Sequence, residues 1–292
     1  MSNNIPKSIS SSNQNYRYGD ETYFNEFTER DWQTTDDGKS IQLAVIGLGW
    51  FTRDRALPAI EKLLFCETIV IVSGSSEKAK RVAMEFYIEH IINHKSFRDG
   101  AASAAYDAVY IAVPNSLHLD YTKDAAKLGK HVLCEKPLEV SVDRAEQMVR
   151  ACADADVILM TAYRLRTEPA VRRVREMIQD GVIGDPVQIH RGFSSRLIDA
   201  AGSDTWRLDP ELAGGGALID IGIYPLNTSR FLLNADPVTI QANTFSTQEV
   251  FDAVEENVAF QLAFSEGVTA SCTASFNDIL TVASRLSALR GK

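Results

Sequence analysis

The chain has 292 residues, of which 45% are hydrophobic and 24% are charged. This composition is ordinary for a globular protein, and the length predicts two domains or one large domain. Lys and Arg total 30 against 39 Asp and Glu, which gives a net charge of -9 at pH 7. An acidic surface repels phosphate backbones, so the charge argues against nucleic-acid binding. The sequence shows neither an apolar run long enough for a bilayer nor a secretory signal, so we expect no membrane partner.

The cysteines indicate the compartment. Cys66, Cys134, Cys152 and Cys272 are scattered along the chain, and none of them forms a CxxC pair. Such spacing predicts free and mostly buried thiols rather than a disulfide framework or a zinc site. We therefore expect a reducing compartment, the cytoplasm.

Residues 1–40 are rich in Ser, Asn, Asp, Glu and Thr, yet they also carry several aromatic side chains between residues 16 and 32. A wholly disordered tail would have fewer aromatic residues. We predict a partly disordered N-terminal arm over residues 1–40, with a loose first dozen residues. The aromatic stretch is expected to dock on the body of the protein or on a neighbouring subunit.

Strand and helix patterns alternate from residue 41 to residue 162. Strands are predicted at 41–46, 68–72, 107–113, 131–134 and 157–163, and helices at 55–64, 76–86, 117–128 and 141–156. The hydroxyl of Ser76 is expected to cap the second helix. Short apolar strands that alternate with helices predict βαβ units and a doubly wound parallel sheet. Residues 41–162 are therefore predicted to form a Rossmann domain.

The pattern changes after residue 162. Helices are predicted at 169–180 and 218–233, and polar and apolar residues alternate at 237–246, 257–264 and 268–275. Alternation is typical of an antiparallel sheet with one face on helices and one face open. Residues 280–292 resemble the start of a further strand. We predict an α+β domain with an open-faced, mostly antiparallel sheet over 163–292, which binds substrate and mediates oligomers.

A glycine turn follows the first strand. Gly47 and Gly49 are the first two glycines of a G-x-G-x-x-G pattern, and Thr52 stands in the place of the third. The first glycine permits the tight turn, and the second lets the backbone approach a pyrophosphate at the helix N-terminus. Because the turn lies between a strand and a helix in a βαβ unit, it predicts dinucleotide binding rather than a merely structural turn.

The end of the second strand favours NADP over NAD. NAD-binding proteins usually place an acidic residue there to hold the ribose diol. Residues 72–76 contain no acid, and Glu77 comes too late. The hydroxyls of Ser73, Ser75 and Ser76, together with Lys78, could hold a 2′-phosphate. The alternative is that these serines only cap the helix.

Two further segments carry candidate catalytic groups. Lys136 follows the fourth predicted strand, between Glu135 and Pro137, where ligands of such folds bind. Asp220 and Tyr224 are spaced i, i+4, so they point the same way from a helix. Tyr224 could exchange a proton with a hydroxyl once Lys136 lowers its pKa. The alternatives are a surface lysine and a tyrosine that only anchors a helix to the sheet.

His90 and His94 are also spaced i, i+4, as two ligands of a zinc site would be. The HExxH pattern requires Glu after the first histidine, and this chain has Ile91 there. No third ligand is evident. We therefore interpret both histidines as surface or strand-end residues and predict no metal site.

Taken together, these segments resemble the glucose–fructose oxidoreductase/inositol dehydrogenase (Gfo/Idh/MocA) family. The resemblance covers the chain from about residue 24 and depends on IGLGWFTRD, VPNSLHLDYTKDAAKLGKHVLCEKP, AYRLRTEPAV and GGGALIDIGIYPLN. It implies that Lys136, Asp220 and Tyr224 are catalytic. It also implies cofactor contacts from Trp50 and Phe51 in the glycine turn, from Pro114, Asn115 and His118 in the nicotinamide loop, and from Glu135, Lys136, Arg164, Trp206 and Arg207.

Within the family, the resemblance is greatest to NADP-dependent D-xylose 1-dehydrogenases of halophilic archaea. It implies oxidation of the C1 hydroxyl of an aldose, D-xylose first, to the lactone. The alternatives are a trans-dihydrodiol or cyclic-polyol dehydrogenase and a non-catalytic NADP-binding sensor. The resemblance also implies a homodimer or homotetramer formed through the C-terminal sheet. Because family members continue past the point where this chain stops, the second domain is expected to be incomplete.

Overall fold

The computed structural model describes residues 39–278 and 281–288. Within them, the first sheet has six parallel strands in the order β3-β2-β1-β4-β5-β6. The strands are β1 (Ile41–Ile46), β2 (Cys66–Val72), β3 (His90–Ile92), β4 (Ala108–Ile111), β5 (His131–Glu135) and β6 (Leu159–Ala162). The strand order reverses between β1 and β4, which opens a ligand-binding crevice at their carboxyl ends.

Helices cover both faces of this sheet, because successive side chains of a strand point to opposite sides. Ala44 and Ile46 of β1 belong to one apolar cluster, and Val45 belongs to another. The helices are α1 (Leu57–Ile60, preceded by a π-helix over Thr52–Ala56), α2 (Ser76–Glu85), α3 (His94–Arg98), α4 (His118–Lys127) and α5 (Val142–Asp154). The two clusters bury the sheet, and its carboxyl-end loops are left for ligands.

The second sheet has five strands in the order β11-β7-β10-β9-β8 among the described residues. They are β7 (Pro186–Ser194), β8 (Thr239–Phe245), β9 (Asn257–Ala263), β10 (Thr269–Ser275) and β11 (Thr281–Ala288). Only the pair of β7 and β10 is parallel among these neighbours. The predicted fold class, a doubly wound parallel sheet followed by a mostly antiparallel sheet, is confirmed. The division into domains at residue 162, where β6 ends, stays a prediction.

One face of the second sheet packs on helices and carries the second core. The helices are α6 (Pro169–Gln179), α7 (Leu197–Ala201), α8 (Pro210–Ala213) and α9 (Ile223–Leu233), the last preceded by a π-helix over Leu218–Gly222. Buried side chains of this core include Ile221, Phe260 and Leu262, and Tyr224 packs against it. The polar side chains of the other face lie in the open, as the alternating sequence predicts.

Some local predictions were wrong. The helix expected at 55–64 ends at Ile60, and β3 was not predicted. The side chain of Ser75, not that of Ser76, caps α2 by accepting a hydrogen bond from the backbone N–H of Lys78. The predicted arm lies almost wholly outside the described residues, as does the end of the predicted last strand, which is seen over Thr281–Ala288.

His90 and His94 share the spacing of two zinc ligands, but they lie in different surroundings. His90 lies in the edge strand β3, and the Nδ1 atom of His94 lies 2.8 Å from the Tyr121 hydroxyl. Among residues 39–278 and 281–288, no three His, Cys, Asp or Glu side chains are grouped as metal ligands. Over the same ranges, every helix is too short or too polar to span a bilayer.

Candidate active site

The glycine turn after β1 leaves room for a ligand at one position and none at the other. Gly47 has a φ of +94°, and a Cβ there would overlap the carbonyl oxygen of Ala112 and lie 2.9 Å from Val113 Cγ1. A Cβ on Gly49 would meet nothing within 4 Å. Gly47 therefore serves the packing of the turn against the loop after β4, whereas Gly49 borders open space.

The helix that begins at this turn is preceded by Gly49, which has no side chain that could cap it. Its first-turn N–H groups therefore remain available to an anion such as a pyrophosphate. Trp50 and Phe51 are exposed beside the turn, with their rings in edge contact. Thr52 is buried, and its hydroxyl finds no partner among the described residues.

The loop after β2 and the first turn of α2 hold the four residues predicted to bind a 2′-phosphate. Ser75 and Ser76 are exposed, and Ser73 and Lys78 are half-buried. Ser75 caps α2, and the Ser73 hydroxyl accepts a hydrogen bond from the backbone N–H of Ser75 at 3.1 Å. The Ser75 hydroxyl accepts its capping bond and keeps its O–H donor, whereas the Ser73 O–H donates to the Ser75 carbonyl oxygen at 3.3 Å.

The loop after β4 is fixed by buried polar side chains. Asn115 donates a hydrogen bond to the carbonyl oxygen of Ala213 at 2.8 Å. Nδ1 of His118 lies 3.0 Å from the carbonyl oxygen of Pro137, and Nε2 lies 3.0 Å from that of Val113. Burial lowers the pKa of His118, which keeps the ring neutral. The His118 side chain has no exposed surface, so the expected cofactor contact by this side chain is corrected to a role in holding the loop, whereas Pro114 is half-buried at the crevice.

The loop after β5 places Glu135 and Lys136 at the crevice. The Tyr110 hydroxyl donates a hydrogen bond to Glu135 Oε1 at 2.7 Å, and Glu135 Oε2 accepts one from the backbone N–H of Lys136 at 3.2 Å. The peptide bond between Lys136 and Pro137 is cis. Glu135 is therefore fixed on both of its oxygens.

The glycine run at 214–216 brings the second half of the chain against the first. A Cβ on Gly216 would overlap the backbone of Glu255, whose carboxylate accepts hydrogen bonds from the N–H groups of Gly216 at 2.9 Å and Leu218 at 2.8 Å. A Cβ on Gly214 would lie 2.6 Å from Cβ of Val140, just after the Lys136 loop. These glycines therefore let the segment pack closely against Glu255 and Val140, and Glu255 caps the helix that carries the catalytic candidates.

Lys136, Asp220 and Tyr224 meet between the two sheets. Lys136 Nζ donates hydrogen bonds to Asp220 Oδ1 at 2.9 Å and to the Asp220 backbone carbonyl at 2.8 Å. It also lies 5.2 Å from the centroid of the Tyr224 ring. The Tyr224 ring stacks on Phe193 of β7 with centroids 5.0 Å apart. Sequence positions 84 residues apart are thereby joined in one constellation.

The charges of Lys136, Asp220 and Arg207 oppose the effect of burial on the pKa values of Lys136 and Asp220. Burial raises the pKa of Asp220, but the charges of Lys136 and Arg207 outweigh it, so the pKa lies below its ordinary value. Burial lowers the pKa of Lys136, but Asp220 and Tyr224 reverse this, and the ammonium form is favoured. Lys136 and Asp220 therefore form an ion pair of which both members stay charged.

Tyr224 departs from the expectation. Burial raises the pKa of Tyr224, and the lowering by the Lys136 charge is smaller, so the pKa lies above its ordinary value. The expected effect of Lys136 is present, yet the phenol keeps its proton at neutral pH. A base with such a pKa becomes more effective as pH rises.

Arg164, Trp206 and Arg207 lie around the same crevice. Arg207 Nε donates a hydrogen bond to Asp220 Oδ2 at 3.1 Å, and its guanidinium lies 4.6 Å from the Trp206 ring. Arg164 is exposed and forms an ion pair with Glu168 at 3.5 Å. Arg207 thus faces the catalytic candidates in this structure.

Two further tyrosines near Lys136 were missed by the sequence reasoning. Burial raises the pKa of Tyr110, and Glu135 raises it further. Burial raises the pKa of Tyr163, and the charge of Lys136 opposes this, which places Tyr163 within reach of the ammonium. Both tyrosines lie at carboxyl ends of the parallel strands, and that position is the signal that could have identified them.

Two family models match most of the described chain. The family model described as "Oxidoreductase family, NAD-binding Rossmann fold" matches residues 41–163, and the "GFO/IDH/MocA C-terminal domain" matches residues 171–283. The chain belongs to the GFO/IDH/MocA family. The family confirms the predicted resemblance and the predicted class of enzyme, an oxidoreductase with a dinucleotide-binding domain.

Three members of this family are similar over most of the chain. D-xylose 1-dehydrogenase [NADP(+)] of Haloarcula marismortui is 51% identical over 255 residues, which are 86% of this chain and 71% of that protein. D-xylose 1-dehydrogenase (NADP(+)) 2 of Haloferax volcanii is 33% identical, over 81% of this chain and 70% of that protein. The crystal structure of an aldose–aldose oxidoreductase from Caulobacter crescentus, complexed with glycerol, superposes with a TM-score of 0.81 at 31% identity, covering 86% of this chain and 75% of that one.

Proposed function

We propose that this chain is an NADP-dependent sugar dehydrogenase that oxidises the C1 hydroxyl of an aldose, D-xylose first, to the lactone. The observation that carries the proposal is the Lys136, Asp220 and Tyr224 group at the cofactor crevice. A buried ammonium that is paired with a carboxylate and lies over a phenol suits proton transfer from a hydroxyl. The 51% identity to a D-xylose 1-dehydrogenase supports the choice of substrate.

The residues at the crevice fit NADP. Gly49 and the uncapped helix after it would receive the pyrophosphate, because the backbone there is open. Ser75, Ser76 and Lys78 would hold the 2′-phosphate, since the end of β2 has no carboxylate that would repel it. NADP supplies the hydride acceptor when it is bound.

The protein's own groups would then act on the sugar. Tyr224 acts as the phenolate, which the Lys136 ammonium stabilises, and it becomes a phenol when it accepts the proton of the C1 hydroxyl while C1 gives its hydride to the cofactor. Asp220 holds Lys136 in place. The free lone pairs of the Asp220 carboxylate can accept a hydrogen bond from a neighbouring hydroxyl of the sugar. Phe193 keeps the Tyr224 ring in one plane, so that the proton transfer has a fixed direction.

The first experiment follows the absorbance of reduced nicotinamide with purified protein, NADP and a panel of aldoses and cyclic polyols. We expect the signal to grow with D-xylose. Growth only with a polyol would favour the alternative substrate class. NADP binding in a fluorescence titration without turnover on any compound would favour the sensor and contradict the proposal.

We also propose that the open face of the second sheet joins copies of the chain into a homodimer or homotetramer. This face presents polar side chains, among them Gln241, Asn243, Gln261 and Thr273. Polar side chains of this kind suit a wet interface rather than a buried core. Light scattering after size exclusion would give the subunit count, and a monomer at micromolar concentration would contradict the proposal.

The four free thiols support a location in the cytoplasm.

A further inference from the structure

Asp220 is held by two cations that come from different parts of the chain. Lys136 binds Oδ1 at 2.9 Å, and Arg207 binds Oδ2 at 3.1 Å. The side chains are 13%, 14% and 23% exposed for Lys136, Asp220 and Arg207 respectively. The carboxylate is therefore pinned at both oxygens in a place that water reaches poorly.

We propose that Arg207 is a positioning residue for the reaction, which fixes the Asp220 carboxylate and thereby holds the Lys136 ammonium over Tyr224. The inference rests on the proposed function of these three residues and assigns a distinct role to a fourth. With Oδ2 bound to Arg207, the carboxyl group cannot rotate, and Oδ1 stays on Lys136. Lys136 donates one N–H to Oδ1 and one to the Asp220 carbonyl oxygen. Its third N–H is left for the phenolate or the substrate.

Arg207 is itself firmly placed. Its guanidinium stacks on Trp206, its neighbour in a 3-10 helix over Trp206–Leu208. The next residue, Asp209, caps α8 with its side chain. A planar guanidinium can stack and donate at the same time, which a flexible lysine ammonium cannot do equally well.

The segment that carries Arg207 is also tied to the loop after β4. The last residue of α8, Ala213, accepts the hydrogen bond from Asn115. That loop is the one predicted to contact the nicotinamide. Arg207 therefore connects the cofactor side of the crevice with the carboxylate that orients the catalytic lysine.

Removal of Arg207 would leave Asp220 with one cation and a larger uncompensated negative charge. A negative charge beside a phenol disfavours the phenolate, so the pKa of Tyr224 should rise further. The charged and titratable groups that act on Tyr224 or take part in its surroundings are Lys136, Glu135, Asp220, Arg164, Tyr110 and Tyr163. None of these is changed by the substitution, so a change in the titration reports on Arg207.

The test compares Arg207→Gln and Arg207→Lys with wild type and with the control Arg196→Gln. Arg196 is a surface arginine, 58% exposed and paired with Asp199, outside the site. We expect Arg207→Gln to lose about 10- to 100-fold in kcat at neutral pH, since small misplacements of reacting groups cost this much. Part of the loss should return at high pH and with Arg207→Lys, and the KM for NADP should change by no more than about three-fold.

A second readout needs no substrate. The phenolate absorbance of Tyr224, isolated as the difference from Tyr224→Phe in each background, should titrate at higher pH in Arg207→Gln than in wild type. An unchanged titration, or a rise in the KM for NADP without a change in the pH profile of kcat, would overturn the positioning role. Absence of turnover in wild type would count against the proposed function alone, because the titration remains decisive.

Discussion

Gly47 and Gly49 lie two residues apart, yet the structure predicts that substitution by alanine destabilises the fold at Gly47 and not at Gly49. Gly47→Ala forces a Cβ against the Ala112 carbonyl at a φ of +94°. Backbone strain costs about 1–3 kcal/mol and the overlap about 1–3 kcal/mol, so we expect a loss of roughly 2–6 kcal/mol in unfolding free energy. Gly49→Ala meets no atom within 4 Å, and its stability should change by less than about 1 kcal/mol.

The two variants should separate stability from cofactor binding. At roughly 2–4 °C per kcal/mol for a chain of this size, Gly47→Ala should lower the Tm of the first transition by about 4–24 °C. Gly49→Ala should keep its Tm but bind NADPH at least about ten-fold more weakly, because the new methyl group lies where the pyrophosphate approaches. Circular dichroism on heating and a fluorescence titration measure the two effects. Equal Tm values for Gly47→Ala and wild type, or unchanged NADPH affinity in Gly49→Ala, would refute the reasoning.

The remaining predictions concern the catalytic group and the cofactor phosphate. Lys136→Met should reduce kcat by at least about a thousand-fold while NADP affinity stays within a few-fold, and unchanged turnover would contradict the assignment. The rate of sugar oxidation should rise between about pH 6 and pH 9, because the pKa of Tyr224 lies above its ordinary value; a flat profile in kcat/KM would count against Tyr224 as the base. Lys78→Glu should weaken NADP at least about ten-fold and spare NAD, as parallel titrations would reveal. Since the pKa of Asp220 is lowered in the folded protein, its ion pairs stabilise the fold above about pH 4 and are lost as pH falls further. Acid unfolding of Asp220→Asn should therefore depend less on pH in that range than that of wild type.

Periodic patterns allowed much of the fold to be predicted from the sequence. The apolar runs that became β1, β2 and β4 end in consecutive buried residues, as is typical of parallel strands that are covered on both faces. Glycine turns and the spacing of Asp220 and Tyr224 then located the site, because ligands bind at the carboxyl ends of those strands. These signals are local in sequence, and that is why they could be recognised without a structure.

The features that were missed depend on contacts between distant segments. β3 is three residues long, which is too short for any periodicity. His118 has the polarity of a ligand-binding residue, and only the positions of the Val113 and Pro137 carbonyls show that it is buried structure. Glu255 caps a helix that begins 37 residues earlier at Leu218. The pKa of Tyr224 likewise depends on a balance of burial and charge that no spacing reveals.

The 84-residue separation of Lys136 and Asp220 has a consequence during synthesis. When the six-stranded sheet has left the ribosome, the segment with Asp220 and Tyr224 is still to be made or has only begun to emerge. A nascent chain at that stage holds the glycine turn and Lys136 but lacks Asp220 and Tyr224. The ion pair of Lys136 can therefore form only after the second half of the chain has closed on the first.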